Sequence, residues 1–122
     1  MLFGKKTDLP FDKEAILSEL IKLRIKTRVL ENKFSYKGND VLALSCQKYT
    51  KALKECSDLV AQMLPPRDKR KAKFFARKSK EYLRKTRDLL QECEEFEYPI
   101  KNGTVEQIIN DLKTLILDIT SV

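Results

Sequence analysis

Apolar side chains recur along this chain at steps of three and four, in four blocks separated by short stretches holding proline, glycine, asparagine or aspartate. Such spacing lines up one row of side chains on one side of an α-helix, and no block shows the strict alternation of a half-buried strand. The first block, about 13 to 34, has Ile16, Leu20, Leu23, Thr27, Leu30 and Phe34 as its row. Leu17, Ile21 and Ile25 are expected to widen it to a second buried side, with Lys22, Lys26 and Lys33 facing away. The second block, about 41 to 63, carries Leu42, Ser45, Tyr49, Ala52, Cys56, Leu59 and Met63. Ser45 is expected to bond a backbone carbonyl, and Tyr49 to bury its ring while its hydroxyl reaches the surface. The third and longest block, about 66 to 96, has Ala72, Phe75, Ser79, Tyr82, Thr86, Leu89, Cys93 and Phe96. The fourth, about 105 to 120, has Val105, Ile108, Leu112, Leu115 and Ile119, flanked by Ile109 and Ile116.

Stop and start signals divide the blocks. Residues 1 to 11 read as a loose lead-in, after which Asp12 is placed to cap the first helix. Gly38 can take a left-handed conformation, and Asn39 or Asp40 can cap the second. Pro65 and Pro66 end the second helix, and Pro66 is expected in the first turn of the third. Tyr98 to Gly103 form the last turn, followed by a capping box of Thr104 and Gln107. Connections this short put successive helices antiparallel. The predicted fold is therefore all-α, a single-domain four-helix bundle running up-down-up-down over residues 1–122, with the fourth helix in the groove left by the other three and a three-helix bundle with a looser fourth helix as the alternative.

Composition narrows the chemistry. The 122 residues include no histidine, which removes the commonest general base and metal ligand and with them triad hydrolases, zinc hydrolases and histidine phosphocarriers. Cys46, Cys56 and Cys93 have no C-x-x-C spacing and fall on or beside apolar rows, so buried, reduced thiols are expected. Gly4, Gly38 and Gly103 are isolated, so no phosphate-cradling loop is present. The carboxylates from Glu92 to Glu97 fan round their helix without converging on a metal. Neither a cofactor nor a metal is expected, and the lack of a signal-peptide core or membrane-length apolar run makes a cytoplasmic location the expectation.

Charge changes the picture more. Of the net +7, the stretch from Arg67 to Arg87 holds eleven lysines and arginines against Asp68 and Glu81. Arg70, Lys73, Arg77, Lys80, Arg84 and Arg87 form an unbroken stripe, placed by helical spacing roughly opposite the apolar row. The same helix carries its charges against its own dipole, cations early and carboxylates late, so a partner or a neighbouring helix must compensate. Opposite charges usually alternate on a solvated face, and this stripe lacks them. An acidic protein partner is the first expectation and nucleic acid the alternative. For the latter only Phe74 is placed to stack on a base, and no Asn or Gln accompanies the arginines to read sequence. A membrane surface ranks third, because the side opposite the cations belongs to the core. The seams can close within one chain or between two, which leaves a homodimer open.

The first hairpin adds a family resemblance. Ile16-Leu17-Ser18-Glu19-Leu20, then Leu23-Arg24, and after the turn Val41-Leu42-Ala43-Leu44-Ser45 resemble the sporulation-regulatory aspartyl-phosphate phosphatases over residues 14–53. Members of that family are small helical hairpins with an L-x-E-I-x-x-L-R start and a V-L-x-L-S-Q-E-L-D motif. The resemblance implies docking on a phosphorylated response regulator, with Ser45 at the motif serine. Cys46, Gln47, Lys48 and Tyr49 stand where Gln, Glu, Leu and Asp are expected. A tyrosine, with a pKa of about 10, cannot replace that aspartate at neutral pH. The expected function is thus a non-catalytic regulatory or adaptor protein that binds another protein, with a response regulator or kinase as the candidate the resemblance offers; a phosphatase lacking the usual aspartate and using another carboxylate such as Asp58 is the last alternative. Binding is expected through the first hairpin, with Ser45 and Tyr49, and through the basic stripe.

Overall fold

Local chemistry sets the helix ends in the computed structural model, which describes residues 12–64, 66–97 and 104–120. Among these residues there are four helices: α1 (Lys13–Tyr36), α2 (Asp40–Gln62), α3 (Lys69–Phe96) and α4 (Thr104–Thr120). The all-α four-helix bundle expected from the spacing is what the chain forms. The lead-in, Pro65 and the turn over residues 98–103 lie outside the described residues.

Asp12 accepts the Ala15 amide at 3.1 Å and Asn39 accepts the Leu42 amide at 3.3 Å, so both expected caps are in place. Gly38 has φ +82, the left-handed value that lets the chain reverse between α1 and α2. The other boundaries fall within two residues of the expected ones, but α3 begins at Lys69 and not at Pro66. Asp68 has extended backbone and accepts the Arg70 amide at 2.8 Å, and this side-chain cap, placed later than the proline, starts the helix.

All six residues of the α1 row are buried. In α2 the buried residues include Leu42, Cys46, Tyr49, Leu53, Cys56 and Val60, so Leu53 and Val60 replace the half-buried Ala52 and Leu59 of the expected row. In α4 they are Val105, Ile109, Leu112 and Ile116, with Ile108, Leu115 and Ile119 on the flank. Both helices carry apolar residues on adjacent rows, and the positions of their neighbours decide which row becomes core.

Those neighbours are arranged unevenly. α1 packs broadly on α2 and only lightly on α3, while α4 packs on α2 and α3. Helices α1 and α4, like α2 and α3, face each other across diagonals. So α4 lies against two helices and not in a groove made by three. Among the described residues the outer side of α1 consequently has no helix on it, and Ile21 and Ile25 are 47 % and 58 % exposed instead of widening the buried row.

Polar contacts between helices are few and specific. The Thr27 and Thr50 hydroxyls meet at 2.6 Å between α1 and α2, each also near a carbonyl of its own helix. The buried hydroxyls of Ser57, Ser79 and Thr86 donate to carbonyls one turn back, so burying them leaves no donor unmet. Lys113 reaches Glu55 at 3.3 Å and the Cys56 thiol donates to the Ile109 carbonyl at 3.8 Å, tying α4 to α2.

Leu20 and Leu53 are fully buried. Replacing either by alanine is expected to cost about 2–5 kcal/mol in urea unfolding, whereas Ile25→Ala should cost about 1 kcal/mol or less. Equal costs at Leu20 and Ile25 would place Ile25 in a core that the fold denies it.

Candidate partner-binding face

The buried row of α3 is Ala72, Phe75, Ser79, Leu83, Thr86, Leu90 and Cys93. Leu83 and Leu90 thus take the places expected for Tyr82 and Leu89, which are half-buried, and Phe96 is exposed. The substitution turns the packing side of α3 toward its cations. At about 100° per residue, the stripe is centred roughly 130° from the core and not directly opposite it. It therefore overlooks the seam between α1 and α3.

Arg70, Lys73, Arg77, Lys80, Arg84 and Arg87 are all exposed, as the spacing predicts. Among the described residues, Arg70, Lys73, Lys80 and Arg84 have no carboxylate within 4.0 Å. Arg87 lies 3.8 Å from Asp88, and the Arg77 guanidinium sits 5.6 Å from the centre of the Phe74 ring, which is 43 % exposed. The nearest compensation is off the stripe. Glu81 pairs with Lys85 at 3.1 Å and with Lys78 at 3.9 Å, and the Lys85 hydrogen bond leads in holding its carboxyl below the usual range.

The two ends of the α1–α3 seam differ. At the carboxyl end, Glu94 bonds Lys26 and lies 3.5 Å from Lys33, and Glu97 meets Lys37 at 2.7 Å. Lys26 and Lys33 therefore do not face away; they neutralise the acidic end of α3. Hydrogen bonds from Lys26 and Lys37 are the foremost causes holding the Glu94 and Glu97 carboxyls below their ordinary values. Toward the amino end of α1 the seam opens into a groove of about 500 Å³. Lys80, Arg84 and Arg87 stand on its α3 side, Asp12 and Glu19 on its α1 side, with Ile16 and Leu83 at its floor.

Ser45 and Tyr49 do not join this face, because α2 lies across the diagonal from α3. The Ser45 hydroxyl donates to the Val41 carbonyl at 3.1 Å, as expected. Tyr49 is only 9 % exposed. Burial pushes its phenol above the ordinary tyrosine value, so it stays protonated at neutral pH. Ser45 remains partly accessible, whereas Tyr49 belongs chiefly to the core.

The three cysteines are buried and free, as predicted. Burial pushes Cys46 up to about 12 and Cys56 to about 11, and raises Cys93, so none is a nucleophile near neutrality. No cluster of three or more Cys, Asp or Glu side chains suited to a metal occurs among the described residues. No helix among them is long and apolar enough to cross a membrane.

Sequence reasoning missed the groove and the Glu94 cluster. The adverse dipole of the third segment signalled that something must meet its carboxylates, but the lysines that do so come from 61 and 68 residues earlier in the chain. No protein-family model, curated protein or solved structure matches the chain.

Because folding lowers the Glu94 and Glu97 carboxyls, the stability they contribute is present above the unfolded value, pH about 4.3, and is lost as the pH falls through their folded values. Glu94→Gln is expected to cost about 1 kcal/mol at pH 7 and less at pH 3, read as urea midpoints at the two pH values. For the cysteines, a disulfide thiol reagent should react slowly with the native protein and with all three thiols in denaturant. Rapid native labelling would contradict their burial.

Proposed function

We propose that this protein is a non-catalytic regulatory or adaptor protein that docks an acidic protein partner along the cationic flank of α3. The observation that supports this reading is the run of Arg70, Lys73, Lys80 and Arg84, exposed and without a carboxylate within 4.0 Å among the described residues. From Arg70 to Arg87 the stripe spans roughly 25 Å, a length suited to a protein surface of ordinary interface size. A cation row with so little local compensation gains most from a partner that supplies the missing charge.

The first hairpin supports a protein as that partner. Ile21, Ile25 and Val29 are 47 %, 58 % and 53 % exposed at successive turns on the outer side of α1. An apolar row of this kind gains from burial against another protein and has little to offer a phosphate backbone. The resemblance over residues 14–53 suggests a response regulator, whose phosphoacceptor site is acidic, or its kinase. A protonated Tyr49 at the motif's aspartate position suits docking without hydrolysis.

Non-specific nucleic-acid binding is the second reading, favoured by the exposed Phe74 ring beside Arg77. Affinity capture from lysate, with and without nuclease, separates the two. Nuclease-resistant capture of an acidic protein is expected, and it should be lost when Arg77, Arg84 and Arg87 are changed together to Glu. The same partners after charge reversal would sink the role of the stripe. Affinity for DNA and RNA weaker than about 10⁻⁴ M at low salt would remove the second reading.

A further inference from the structure

The open end of the α1–α3 seam combines volume, apolar surface and unspent charge. Its volume of about 500 Å³ is in the range that holds a small organic ligand. Ile16, Ala76 and Leu83 line it with apolar surface, while Lys80, Arg84 and Arg87, at steps of four and three, stand along one rim. Lys80 and Arg84 have no carboxylate within 4.0 Å among the described residues, and Arg87 meets Asp88 only at 3.8 Å. The carboxylates across the groove are engaged on their own helix. Asp12 accepts the Ala15 amide, and Glu19 lies 4.0 Å from Lys22. The amino end of α1, the positive end of its dipole, opens onto the same space.

A solute that suits all of these features has one anionic head and an apolar body. Inorganic phosphate has the charge without the body, and a long-chain alcohol the body without the charge. We propose that this groove binds a small amphiphilic anion, its carboxylate or phosphate head held by Lys80, Arg84 and Arg87 and its hydrocarbon body laid against Ile16 and Leu83. The site goes beyond the docking of a protein partner and does not depend on it.

Dodecyl phosphate, kept below its micelle-forming concentration, is the probe, and calorimetry on the purified full chain is the readout. Saturable binding of one molecule per chain is expected. Arg84→Glu and Arg87→Glu should each weaken it about tenfold, because each removes a charge-assisted contact and adds repulsion. Arg70→Glu makes the same change of charge outside the groove and should change affinity by about twofold or less. Ala76→Phe fills the floor and should abolish binding while far-ultraviolet circular dichroism stays native. If that variant does not fold, Ala15→Phe, at an exposed position on the α1 side of the groove, takes its place.

Three results would each overturn the proposal. They are equal losses from Arg70→Glu and Arg84→Glu, dodecanol binding as tightly as dodecyl phosphate, and sedimentation with anionic phospholipid vesicles without binding of the monomer. No macromolecular partner enters this measurement, so its failure would leave partner docking standing, and loss of the partner would leave the groove standing.

Discussion

Glu94 lies between Lys26 and Lys33, and this contact ties the carboxyl end of α3 to the first hairpin. By itself α3 is poorly arranged, since its amino end is crowded with cations and its carboxyl end with glutamates, each set opposed by the helix dipole. Lysines from α1 relieve the acidic end. Among the described residues nothing equivalent relieves the basic end, where Asp68 supplies a cap and little more. The seam is therefore fastened at one end by charge and left open at the other. The groove and the accessible cations are two results of that asymmetry.

The partition of contacts reinforces it. α1 commits most of its packing surface to α2, and α4 divides its own between α2 and α3. Of the four pairs that pack, α1 and α3 touch least, so side chains on that flank of α3 remain in water even though they stand beside another helix. The outer row of Ile21, Ile25 and Val29 has the same origin, because among the described helices α1 packs only on α2 and α3.

What was legible in the sequence was local. The caps at Asp12 and Asn39, the turn at Gly38, the buried row of α1 and the buried thiols each depend on residues within a turn or two of one another. Where neighbouring rows were both apolar, the pattern could not choose between them: Tyr82 or Leu83, Leu89 or Leu90, Ile108 or Ile109. That choice is made by the direction from which the next helix approaches, which is a tertiary fact. The start of α3 differs from the expected one for a smaller reason, a proline and an aspartate two residues apart, of which the aspartate holds the cap. The six cations of the candidate face were legible as a stripe. Their position over the seam was not, because it depended on which row of α3 was buried.

Glu97 joins two tasks in one residue. Its φ of +52 ends α3 in a left-handed turn that a residue with a Cβ adopts at some cost, and its carboxylate holds Lys37 at the end of α1. Glycine would ease the backbone and release the lysine, while an uncharged side chain would keep the strain and lose the pair. The position is thus caught between two opposed preferences, and neither of these substitutions satisfies both. A designer wishing to stiffen this corner would do better to move the carboxylate than to relax the turn.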